Sequence, residues 1–216
     1  MTTRQFGIVV PQEQELFYVE VPTGIYAGVW GVDRQLARTP SGIFLPYNER
    51  LTRIQTYDAL QNDPALLEAG FGLVPASVLL YGIQHDTNFY KMLIGTSQLT
   101  GSGVVEEDGR YHLGTPNVTR GEDLQYQGLR NDRPIARIEP QSGQVRRLDK
   151  TTLWGIGEDS KVEFEKLKHP TFMHNADGNR FVGLVVRSGG DVDAYAGRLP
   201  LVGDFDRGAR LAKRVE

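Results

Sequence analysis

Leu73-Val74-Pro75-Ala76-Ser77-Val78-Leu79-Leu80-Tyr81-Gly82-Ile83, followed after Gln84-His85-Asp86-Thr87 by Asn88-Phe89-Tyr90-Lys91-Met92-Leu93-Ile94-Gly95, is the most apolar part of the chain. Each half has the length of a strand and is rich in Val, Ile, Phe and Tyr, and the four polar residues between them are turn-prone. The pair reads as a hairpin buried on both faces. Residues 76–94 are then expected to form the most buried hairpin of the molecule, the middle of a sheet packed against something else. Such a hairpin supplies a core and no chemistry.

Working back towards the start, Asp63-Pro64-Ala65-Leu66-Leu67-Glu68-Ala69-Gly70 carries a helix signature. Asp63 can cap, Pro64 suits the first helical position and Gly70 can close the end. The piece is barely two turns long, so it needs docking to persist. Earlier still, Phe6–Val10, Glu15–Val21, Ile25–Trp30, Ile43–Leu45 and Leu51–Thr56 have strand chemistry. Pro22-Thr23-Gly24 turns the second into the third, and Gly28 suggests a bulge or a close backbone approach.

Towards the other end, residues 95–103 read as a flexible, glycine-rich stretch. Asp108-Gly109 between apolar flanks then predicts a hairpin over Val104–Leu113, because the favoured two-residue turn needs positive φ at both positions. Further hairpins are predicted around Ile135–Val145, and from Thr171-Phe172-Met173 to Phe181–Val186 across Asp177-Gly178. Residues 114–134 are polar and read as a long excursion. Residues 204–216 read as a short helix with Leu211 and Val215 on one side, weakened by Gly208. The sum is a mainly β fold, an antiparallel sandwich or barrel built from hairpins with one or two short helices, in a single domain over residues 1–216.

A chain of 216 residues buries roughly 70% of its unfolded surface, enough for a core without covalent help. Cysteine is absent, which excludes disulfides, thiolate metal sites and a cysteine nucleophile. No apolar run reaches the ~20 residues needed to cross a bilayer, and Met1-Thr2-Thr3-Arg4-Gln5 leads into no signal-like core, so a soluble, unexported protein without a membrane partner is expected. Asn117-Val118-Thr119 has the form of a glycosylation acceptor and is read as an ordinary turn.

The net charge of −3 conceals an uneven distribution. Residues 61–109 hold 1 Lys or Arg against 6 Asp or Glu, and residues 110–150 hold 8 against 5. Adjacent segments at −5 and +3 suggest complementary surfaces that meet head to tail between copies. The interface candidates are Glu106, Glu107 and Asp108 on the acidic side and Arg133, Arg137, Arg146 and Arg147 on the basic side. The same arginines, with Arg120, Arg130, Lys150 and Tyr126, could contact nucleic acid, but the pI near 5.9 argues against it as the main partner.

Catalytic signatures are sparse. No phosphate loop, nucleophile elbow or dinucleotide fingerprint occurs. Gly24-Ile25-Tyr26 matches half of the GIY-YIG nuclease signature, and the second half is missing. The carboxylate pairs Asp191/Asp193 and Asp204/Asp206 sit in loop-like contexts. A metal could be held by His169, His174 and Asp177, helped by a distant His85 or His112, although the spacing follows no zinc pattern. These observations lead to an expected non-enzymatic structural subunit of a larger assembly, needing no cofactor and partnered by its own copies or other assembly proteins. A virion component of the capsid, neck, tail or baseplate is the concrete form. The alternatives are a metal-dependent hydrolase or nuclease on a β scaffold, and a monomeric β-barrel binding module.

Overall fold

The structure is a computed structural model, and it describes residues 13, 16–21, 24–28, 43–44, 57–58, 60–107, 110–119, 125–130, 136–140, 145–154, 161–164, 167–169, 171–174, 180–186, 189–196, 207–209 and 211–215. Strands dominate. They are β1 (Phe17–Val21), β2 (Gly24–Gly28), β3 (Ile43–Phe44), β4 (Gly72–Leu73), β5 (Thr96–Glu107), β6 (Arg110–Gly114), β7 (Pro116–Thr119), β8 (Gln125–Leu129), β9 (Ala136–Pro140), β10 (Val145–Trp154), β11 (Lys161–Phe164), β12 (Thr171–His174), β13 (Arg180–Val186), β14 (Val192–Ala196), β15 (Arg207–Ala209) and β16 (Leu211–Val215). Short helices α1 (Pro64–Glu68), α2 (Ala76–His85) and α3 (Thr87–Leu93) lie among them. A small sheet has the order β1-β2-β16-β4, a large one runs β13-β14-β12-β10-β9-β6-β5-β15-β3 with β11 on β10, and β7 pairs with β8 alone. Pairing is antiparallel except for β12–β14 and β15–β5. The expectation of a mainly β chain with a few short helices holds.

Residues 76–94, expected as a hairpin, are instead the helices α2 and α3. The expected burial survives the correction. Ala76 to Leu80, Gly82, Ile83 and Gln84 are all buried, so α2 has almost no polar stripe, and an all-round apolar run looks the same as a strand covered on both faces. The polar step read as a turn is a helix junction. Asp86, in extended backbone, ends α2, and its carboxylate accepts from the Asn88 and Phe89 amides to begin α3. At the other end Pro75 offers α2 no side-chain cap, and Ser102 Oγ of β5 accepts from the Ala76 amide at 2.9 Å. Helix α2 thus lies in the main core with Val19, Val21, Phe89, Leu93, Val104, Tyr111, Leu113, Val186, Val192 and Ala212.

Around α1 local chemistry decides the structure as expected. Asp63 Oδ1 accepts from the Ala65 and Leu66 amides, both at 3.0 Å. Gly70, with φ of 75°, ends the helix, while the Phe71 and Gly70 amides donate back to the Leu66 and Leu67 carbonyls. Leu66 is thereby set into a second core cluster with Tyr57, Leu60, Phe71, Leu73 and Leu211.

The β1–β2, β5–β6 and β9–β10 hairpins form where turn chemistry predicts them. Several longer-range expectations fail. Residues 96–103, expected to be flexible, belong to β5, and their glycines serve close approach: a Cβ at Gly101 would stand 2.5 Å from the Leu73 carbonyl oxygen, and one at Gly103 would meet the Tyr126 ring. The polar excursion at 114–134 contains the β7–β8 hairpin, with the Tyr126 hydroxyl donating to the Val104 carbonyl. β12 and β13 are not hairpin partners, because β14 lies between them, parallel to β12. Residues 207–209 and 211–215, expected within a helix, form strands β15 and β16, and β16 pairs with β2 on one side and β4 on the other. The strands expected at Phe6–Val10 and Leu51–Thr56 lie outside the described residues.

Candidate functional site

A group of chemistry-bearing side chains gathers where α2 and α3 meet residues 167–169 and Thr171. Gln84, near the end of α2, is a buried amide with both ends satisfied by one residue: its Nε2 donates to the His169 carbonyl at 3.0 Å and its Oε1 accepts from the His169 amide at 2.8 Å. The side chain copies the bonding of a neighbouring strand and holds the segment leading into β12. The His169 carbonyl also accepts from Thr171 Oγ1, at 3.2 Å. Lys168 donates to Thr87 Oγ1, the first residue of α3, at 3.3 Å.

Two tyrosine–histidine stacks complete the site. The Tyr90 ring of α3 lies on the His169 ring with centroids 3.7 Å apart and planes 14° from parallel. Tyr81 and His85, one turn apart on α2, stack at 4.2 Å. Burial, and then the Lys168 ammonium, pushes both His85 and His169 below the ordinary imidazole range, so both are neutral at pH 7. Burial, and then the Asp191 carboxylate, raises the Tyr90 phenol. His169 Nε2 is buried and has no hydrogen-bond partner.

Of the expected metal ligands, His169 stands just before β12 and His174 ends it, with its backbone opposite Val145 and Tyr195. Asp177 lies outside the described residues, and among the described residues no group of three His, Asp or Glu side chains could hold a metal ion. Of the expected interface residues, Glu106 and Glu107 are exposed at the end of β5. Arg137 lies on β9, opposite His112 of β6, and Arg146 and Arg147 lie on β10, opposite Met173 and Phe172. Asp108 and Arg133 lie outside the described residues.

The two charged segments are joined edge to edge within one chain. Glu107 pairs with Arg110, and β6 continues to β9. β5 and β6 pair antiparallel from Gly103↔Gly114 to Glu107↔Arg110.

Gln84, Tyr90 and Lys168 were not singled out by sequence reasoning. Gln84 and His169 are 85 residues apart, and no local pattern announces such a pairing. No protein family, curated protein or solved structure matches the chain.

Proposed function

We infer that the chain is a non-enzymatic structural subunit of a larger protein assembly, in its most concrete form a virion component of capsid, neck, tail or baseplate, with copies of itself or other assembly proteins as partners. The observation that supports this reading is how the polar side chains at the best-formed site are used. Gln84 holds a backbone segment, Lys168 and Thr171 tie the same segment down, Asp63 and Asp86 cap helices, and Ser102 caps α2 from a strand. These groups act as fasteners within and between elements.

A sandwich or barrel remains the reading of the architecture within this proposal. It is supported by β13, which pairs with β14 through Val182–Val186 and with β5 through Arg180 and Phe181. The test is sedimentation across protein concentration and salt, with elemental analysis of the same preparation. Species well above the 24.1 kDa of one chain are expected, without stoichiometric metal. A single 24.1 kDa species under every condition, carrying a bound metal, would favour the hydrolase built on His169, His174 and Asp177 instead.

A further inference from the structure

The edges of the sheets are not alike. β3 and β4 are two residues long, β11 contains Lys161 and Glu163, β7 begins with Pro116 and its register slips before Val118, and β8 passes through Gly128 at a φ of 101°. Shortness, charge, proline and broken register are the means by which sheet edges resist pairing with other chains. β1 is built differently. Phe17-Tyr18-Val19-Glu20-Val21 has no glycine, proline or lysine, keeps unbroken register with β2 over its whole length, and has no strand on its other edge among the described residues. Val19 and Val21 are buried in the main core, whereas Tyr18 and Glu20 are exposed on the opposite face, with Ile25 of β2 across from Glu20. Tyr18 and Ile25 are two of the three large apolar side chains exposed among the described residues.

We propose that β1 joins this chain to a second copy of itself: the two β1 strands pair antiparallel about a two-fold axis at Val19, which sets Tyr18 of each copy opposite Glu20 of the other and merges the two small sheets into one. The register singles out a second copy as the occupant. β1 carries one charge, and in this arrangement it meets a phenol instead of another carboxylate, while Val19 meets Val19; like charges directly opposite would oppose the pairing. A row across the merged sheet then runs Ile25, Glu20, Tyr18 of the second copy and Ala27 of the second copy, so the exposed phenol ring lies in line with the exposed Ile25. The contact is isologous, and every pairing in it occurs twice. Five residues a side make a small interface, weak in isolation and reinforced where further contacts hold the copies together. Its role rests on the assembly reading given above, whereas the pairing itself is measurable on the chain alone.

Sedimentation velocity from about 1 μM to about 1 mM reads the association, on the wild type and on Tyr18→Glu and Tyr18→Lys. Both substitutions put a charge at the same exposed position, so they burden the single chain alike. In the proposed register the new glutamate faces Glu20 of the second copy, twice over, and the new lysine makes two opposite-charge pairs. Tyr18→Glu is expected to raise the dissociation constant about tenfold and Tyr18→Lys to leave it within about threefold of the wild type, with the difference shrinking as salt is raised. In the wild type, hydrogen exchange over residues 17–21 should slow as concentration rises, a measurement that needs no variant. Larger species that form equally in the two variants, or that form while exchange in β1 stays unchanged, would overturn the pairing and leave assembly through another surface standing. A wild type that sediments as one chain at every concentration would overturn the pairing and the self-association part of the assembly reading together.

Discussion

Gly101→Ala tests how the two larger sheets are joined. At this residue β5 passes β4 so closely that the Gly101 amide donates to the Val74 carbonyl at 2.8 Å, and an added Cβ would lie 2.5 Å from the Leu73 carbonyl oxygen and 3.1 Å from the Leu73 carbonyl carbon and Cβ. The nearest obstacle is main chain, which cannot swing aside as a long side chain would. Relief therefore means parting the strands. Overpacking of this kind costs about 1–3 kcal/mol, with the upper half of the range expected against backbone. Weakening the Gly101 hydrogen bond adds about 0.5–1.5 kcal/mol. Replacing glycine within a strand returns about 0.5–1 kcal/mol through the unfolded chain. The net expectation is a loss of about 2–3 kcal/mol, which for a chain of this size lowers Tm by roughly 5–10 °C. Urea unfolding should show a lower midpoint with an unchanged slope. Gly70→Ala is the reference: nothing lies within 4 Å of its added Cβ, and only the φ of +75° is strained, at about 1 kcal/mol. If Gly101→Ala proves neutral, or costs no more than Gly70→Ala, the close approach of β5 and β4 is not what holds the sheets together.

Ser102→Ala should cost about 1–3 kcal/mol in urea unfolding, because the buried Ala76 amide loses its acceptor where Pro75 can supply none. A neutral result would mean that another group caps α2. Asp86→Ala removes both amide contacts at the start of α3 and should cost about 1 kcal/mol, whereas Asp86→Asn should retain most of the cap. Thermal unfolding of the pair distinguishes a cap from a charge effect.

What could be read from residue order was what short-range chemistry controls. The Asp63-Pro64 start and Gly70 stop of α1, and the pairing of β5 with β6 that Asp108-Gly109 predicts, act within a few residues and behaved as expected. The core position of residues 76–94 was legible from their apolarity, but their helical form was not. Burial around almost the whole of α2 erased the polar stripe that marks a helix, although Asp86 followed by Asn88 and Phe89 held the cap that could have revealed it. Placement of β14 between β12 and β13, of β16 between β2 and β4, and of Gln84 on His169 depends on partners far apart in the chain. His169 itself was noticed as one of a cluster of histidines. Its partners Gln84 and Tyr90 lie on α2 and α3, in a stretch that had been read as having no chemistry.

The position of β16 also governs the order in which the molecule can be completed. β2 is made early and β4 soon after it, yet the strand that belongs between them is residues 211–215, and it places Leu211 in one hydrophobic cluster and Ala212 in the other. On a ribosome adding about 5–20 residues per second, the N-terminal hairpin waits roughly ten to forty seconds for its second neighbour. Throughout that interval the β2 and β4 edges display unpaired amides and carbonyls, the surface on which nascent chains pair wrongly with one another. Joining of the two clusters is thus tied to the synthesis of residues 211–215, and a chain interrupted before residue 211 would lack the strand that unites them.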